Sequence, residues 1–149
     1  MKLRELWSLK DFKYRAAVSV GPNETIAAAV KKLVEYDRGS LPVCNDTGEL
    51  VGIITERDIT RKFLTGKDAS PQKTRVKDIM TTQLIIGKPD DDLSYAITVM
   101  KEKKIRHLPI VDGKNLIGMI SMRDLLGVQL DECKIETRFL NDYVSGSYP

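Results

Sequence analysis

Few side chains in this chain could do chemistry. The one histidine, His107, sits between Arg106 and Leu108, directly before Pro109. A single histidine excludes multi-histidine metal sites, HExxH among them. The two cysteines, Cys44 and Cys133, make no Cys-x-x-Cys and are too few for a disulfide framework. The ten glycines write no dinucleotide fingerprint, no P-loop and no nucleophile elbow. With no catalytic constellation available, the expectation is a protein that is not an enzyme.

One spacing occurs twice. Gly52-Ile53-Ile54-Thr55-Glu56-Arg57-Asp58 and Gly118-Met119-Ile120-Ser121-Met122-Arg123-Asp124 each end an apolar run on a hydroxyl, with a carboxylate three residues on. That is a capping box in all but the usual Glu or Gln. It also suits a sugar phosphate. A carboxylate only accepts, so it can take two bonds from vicinal ribose hydroxyls. A helix N-terminus with free N–H groups and a nearby arginine suits a phosphate. Capping leaves a second carboxylate oxygen, so the two roles can coexist. Arg57 and Arg123 stand in a first helical turn, where the helix dipole disfavours them; phosphate binding explains that, and so does a solvated helix face.

The elements that must position these groups come from an internal repeat. Residues 18–43 match 85–110 at an offset of 67, with Pro22 on Pro89, Ala29 on Ala96, Glu35 on Glu102 and Leu41-Pro42 on Leu108-Pro109. With one residue deleted in a turn, the two motifs match at an offset of 66. Upstream, Asp11-Phe12 is set against Asp78-Ile79. Each copy reads as a short strand (Ala16 to Val20; Leu84 to Ile86), then a helix with one apolar face. Ile26, Ala29, Val30, Leu33 and Val34 form that face in the first copy, and Leu93, Ala96, Ile97 and Met100 in the second. A hairpin follows around Asn45-Asp46-Thr47-Gly48 or Asp112-Gly113-Lys114-Asn115. A second helix closes each copy, from about Thr55 to Leu64 and from Ser121 to Val128. Pro42 and Pro109 lack an N–H, so each should begin a strand or lie at an edge.

The fold class is therefore α/β (α+β), two pseudo-symmetric β-α-β-β-α repeats packed as one module. Residues 1–65 hold the first repeat and an N-terminal segment, 66–77 a basic linker, 78–130 the second repeat and 131–149 a C-terminal tail with a frayed end. The net charge of +3 comes from 24 Lys and Arg against 21 Asp and Glu. Residues 61–77 alone carry a net +5, so the basicity is local. A solvated linker accounts for it better than a nucleic-acid contact. No apolar run approaches the ~20 residues of a membrane span, and the charged start has no signal-peptide core. A cytoplasmic protein is expected. Met80, Met100, Met119 and Met122 read as packing residues, and Cys44 as a small buried hydrophobe.

Two such motifs in register with two Leu-Pro strands resemble a pair of cystathionine-β-synthase (CBS) domains, a Bateman module, over about residues 11–128. The resemblance implies a regulatory module with no catalytic cofactor. Its ligand would be an adenine nucleotide (AMP, ADP or ATP) or an adenosyl compound such as S-adenosylmethionine, held in the cleft between the repeats and reporting energy state. It also implies a homodimer formed through the repeat helices and an unknown effector protein. Carried over, one site joins Ser121 and Asp124 with Val18, Gly39, Ser40, Arg106 and His107. The other joins Thr55 and Asp58 with Ile85, Thr81, Arg106 and His107. Arg57, Arg123 and Pro109 complete the ligand-binding set. Gly39 stands where the second copy has Arg106, and Tyr14 where it has Thr81, so one good nucleotide site is expected rather than two. The rival readings are a ligand-free dimerisation and docking scaffold and, behind it, a nucleic-acid module using residues 61–77.

Overall fold

The computed structural model describes residues 1–9, 18–66 and 70–145. Its elements in chain order are helices α1 (Leu3–Leu6) and α2 (Ile26–Glu35), strands β1 (Ser40–Cys44) and β2 (Leu50–Thr55), and helices α3 (Glu56–Thr65), α4 (Val76–Ile79) and α5 (Leu93–Lys103). Strands β3 (His107–Asp112) and β4 (Asn115–Ser121) and helix α6 (Met122–Ser145) complete the chain. The fold is mixed α/β, with one antiparallel hairpin in each half. β1 pairs with β2 and β3 with β4, and the register is the same in both: Val43 faces Gly52 as Ile110 faces Gly118, with an irregularity at the next residue.

Among the described residues, the first strand of each repeat is a single parallel bridge, Val20 to Val43 and Gly87 to Ile110. The Val20 N–H donates to the Pro42 carbonyl and the Gly87 N–H to the Pro109 carbonyl, at 3.0 and 2.9 Å. Pro22 and Pro89 follow two residues later and offer no N–H to extend the ladder. In the second copy the bridge falls after Leu84 to Ile86, the stretch read as the strand. Pro42 and Pro109 lie inside β1 and β3 and turn their N-less side to this short outer edge.

Two apolar clusters form the core, one per half. The first gathers Val20, Ile26, Ala29, Leu33, Leu41, Val43 and Ile54, with Val76. The second gathers Leu93, Ala96, Met100, Leu108, Ile110, Ile120 and Leu125, with Leu3 and Leu6. Val76 and the Leu3–Leu6 pair come from the opposite ends of the sequence division, so the halves exchange short helices. The Leu3 N–H donates to the Asp91 carbonyl and the Val76 N–H to the Glu24 carbonyl, both at 2.9 Å. Arg4 to Pro89 and Lys77 to Pro22 repeat the match.

In its hydrogen bonding Glu5-Leu6 is the counterpart of Asp78-Ile79. Glu5 Oε2 accepts from the Lys2 N–H at 2.6 Å, as Asp78 Oδ2 accepts from the Arg75 N–H at 3.0 Å. Asp11, Phe12 and Tyr14, and with them the comparison of Tyr14 with Thr81, lie outside the described residues. So do Ala16, Ala17 and residues 146–149.

The segment read as a basic linker is part of this packing. Residues 71–77 run along the start of α2, where Ile26 and Ala27 donate to the Thr74 and Pro71 carbonyls at 2.9 Å. The last helix does not stop near Val128. α6 continues to Ser145, because Gly127 is exposed and costs a helix only ~1 kcal/mol. The two halves meet at the strand starts, where Glu49 bridges Asn115, residues equivalent under the repeat.

Candidate functional site

Each motif folds as its spacing requires. β2 runs straight into α3 and β4 into α6. At the first junction Asp58 N–H donates to Thr55 Oγ1 and Thr55 N–H to Asp58 Oδ2, both at 3.1 Å. At the second, Asp124 N–H donates to Ser121 Oγ at 3.0 Å and Ser121 N–H to Asp124 Oδ2 at 3.3 Å. Both are reciprocal capping boxes. Aspartate serves as well as the longer glutamate because the extended cap residue brings its own N–H close.

The helix ends are less open than free N–H groups would make them. Glu56 N–H donates to the Gly39 carbonyl at 3.0 Å, and Met122 N–H to the Arg106 carbonyl at 2.8 Å. With the cap hydroxyl and carboxylate, these take three of the four orphan donors of α3. Only the Arg57 N–H is left over by these groups. Attraction for a phosphate must then come from side chains.

The strand register brings further candidates to each motif. Ser40 pairs with Thr55 and His107 with Ser121, so each residue that opens a Leu-Pro strand lies beside the hydroxyl of its own half. Ser40 is buried at 6% exposure, and Pro109 is buried within β3. Contact across the halves occurs at Gly39. A Cβ placed there would lie 3.6 Å from His107 Nε2 and 3.8 Å from Glu56 Oε2. His107 thus reaches from the second half into the space that glycine leaves open in the first.

Burial pulls the His107 pKa below its ordinary value; Arg106 pushes the same way and Asp124 opposes. The imidazole is neutral at neutral pH, with a cation and a carboxylate at hand. Arg106, Arg57 and Arg123 are exposed. Thr81 is exposed and lies on the outer edge of β2, exchanging two backbone hydrogen bonds with Ile53 at 3.0 and 2.9 Å. Val18 and Ile85 are half-buried against the cores of their own halves. Cys44 is half-buried rather than buried. Burial raises its thiol pKa, and a hydrogen bond to Ser19 lowers it.

Glu56 was not among the sequence candidates. The signal was available, since it is the charged position of the first motif that aligns with Met122 of the second. Among the described residues no cluster of His, Cys, Asp and Glu could hold a metal ion, and no helix is long and apolar enough to cross a membrane.

Comparison with known proteins places this geometry in a family. The family description "CBS domain" matches twice, at residues 9–65 and 76–131. The chain is similar to the mitochondrial CBS domain-containing protein CBSX3 of Arabidopsis thaliana, 35% identical over 130 residues. That match covers 85% of this chain but 63% of the relative, so the chain spans less than two thirds of the plant protein's length. Among solved structures, a putative signal-transduction protein with CBS domains from Burkholderia ambifaria superposes with a TM-score of 0.78 at 32% identity. The superposition covers 88% of this chain and 95% of that one. CBSX2 in complex with AMP superposes with a TM-score of 0.69 at 26% identity, over 76% of this chain and 88% of that one.

Proposed function

This chain belongs to the CBS domain family as a tandem pair, and from that premise we propose that it is a regulatory module binding an adenosine-derived ligand between its repeats. The observation that carries the reading is the contact of His107 with the open space at Gly39, flanked by two capped carboxylates. Asp124 would take the ribose hydroxyls, with Ser121 beside it and Arg106 and His107 toward a phosphate. The equivalent positions of the first half offer Gly39 and Ser40, with no cation, so one site per chain is the better one. The AMP complex of the similar CBSX2 protein supports an adenine nucleotide as ligand. The candidates are AMP, ADP, ATP and S-adenosylmethionine.

Occupancy would shift the pose of the two halves and report ligand level, an energy-sensing role, to an effector protein. Exposed apolar residues on α2 and α3 (Val34 at 76% and Leu64 at 82%) suit a homodimer through the repeat helices. A cytoplasmic setting fits the sparse cysteines. Isothermal titration of the purified protein with the four candidates tests the ligand. Saturable binding of at least one is expected, and no binding of any at millimolar concentration overturns the reading.

A second reading is favoured by one observation. Both carboxylates already serve capping boxes, as they would in a docking scaffold that binds no small molecule. It requires that none of these ligands raises the melting temperature.

A further inference from the structure

Glu56 opens α3 with a carboxylate where α6 opens with the thioether of Met122. The backbones are held alike, by the Gly39 carbonyl in one half and the Arg106 carbonyl in the other. The side chains are not alike. Glu56 Oε2 and His107 Nε2 both border the space at Gly39, one from each half, at 3.8 and 3.6 Å from its Cβ position. The first half thus sets a glycine and an anion where the second sets a cation and an apolar chain. An anionic group moving toward His107 and Arg106 meets a fixed negative charge on the facing helix. The first turn of a helix favours a carboxylate, so that charge is at home there.

We infer that Glu56 is a specificity residue, which sets the charge of the ligand that the cleft accepts by penalising each added phosphate. The inference rests on the adenosine-ligand reading above and narrows it to a nucleoside or adenosyl compound of low negative charge. Repulsion between like charges a few ångströms apart scales with the charge of the ligand and is weakened, not abolished, by partial solvation. Salt screens it over ~8 Å at physiological ionic strength. The Arg106 cation, with the His107 imidazole beside it, draws the first phosphate; Glu56 opposes the second and third.

The test is titration of the full chain and of Glu56→Gln with adenosine, AMP, ADP and ATP in magnesium-free buffer. Glu56→Gln is expected to leave adenosine within about twofold, tighten AMP about threefold and tighten ATP about tenfold or more, as a charge-scaled Coulomb term requires. The gain should shrink in high salt. Glu56→Met, which copies the second half, should repeat the pattern, with melting curves confirming that both variants fold. Binding by wild type and variants with no dependence of the gain on ligand charge overturns the role of Glu56 alone. No binding by any of the proteins overturns the adenosine reading as well.

Discussion

The indole of Trp7 fills the space that a side chain at Gly118 would need. A Cβ there would stand 2.7 Å from Cζ2 and 3.0 Å from Nε1 of the ring. In the other half Met80 plays the same part, its Sδ 2.6 Å from the Cβ position of Gly52. Trp7 and Met80 follow the exchanged helices α1 and α4. The glycine of each motif is thus a packing residue that admits a segment crossing from the far side of the sequence. Gly118→Ala must move a rigid ring and should cost ~1–3 kcal/mol, as overpacking does. Gly52→Ala meets a flexible thioether, though also the Thr81 carbonyl oxygen at 3.1 Å, and should cost less. Urea denaturation of the two variants checks the order. Equal losses would mean that the ring yields as easily as the thioether.

That exchange marks where the sequence stopped being legible. The repeat, the hairpins and the two capped helices follow from local patterns: Leu-Pro pairs, alternating strands and a hydroxyl three residues before a carboxylate. The docking of α1 on the second half and α4 on the first joins buried Leu3, Leu6 and Val76 to backbone bonds such as Leu3 N–H to Asp91 O; the apolar residues do not say which core they fill, and backbone bonds leave no trace in residue type. The helix read as far as Val128 runs on to Ser145, through an exposed Gly127. In the site, the motif residues were legible, while Glu56 required comparing what the copies do differently. The contact of Gly39 with His107 depends on how the halves face each other, which no periodicity encodes.

The two aspartates should separate stability from binding. Asp58→Ala and Asp124→Ala each remove one side of a capping box and should lower stability by ~1 kcal/mol. If the carboxylates only cap, their effects end there. If Asp124 also holds a ribose, beside Arg106 and His107, then Asp124→Ala should weaken nucleotide binding at least ~10-fold more than Asp58→Ala, the loss of a charged hydrogen bond. Thermal melts with and without AMP read both quantities. Equal losses of affinity would contradict a single good site.

His107 should give binding and stability opposite responses to pH. Its pKa in the fold lies below the ordinary 6.5, through burial first and Arg106 second. Between that lowered value and 6.5 the unfolded chain holds more protons than the native one, so stability falls as the pH drops through this window. A bound phosphate prefers the imidazolium, so affinity for AMP should rise over the same window while that for adenosine stays level. His107→Gln should flatten the AMP profile and remove this part of the acid destabilisation. Melting curves and AMP titrations at pH 7.5 and 5.5 measure it. A slope for AMP that survives in His107→Gln would assign the proton elsewhere.

Leu3 tests the exchange of helices from the other side. It is fully buried among Leu93, Met100 and Ile110, in the core of the half it does not belong to by sequence. Leu3→Ala should therefore cost ~2–5 kcal/mol, the loss of a buried leucine with a cavity left behind. An N-terminal residue lost from a frayed end would cost almost nothing. The location of the damage is more telling than its size. Hydrogen exchange should quicken first in α5 and in β3, whose Ile110 bridges Gly87 beside Leu3, while the amides of β1 and α2 keep their protection. Val76→Ala should give the mirror image, loosening α2 and sparing α5, because Val76 fills the first core as Leu3 fills the second. Loss of protection in the same half for both variants would show that the two cores unfold as one.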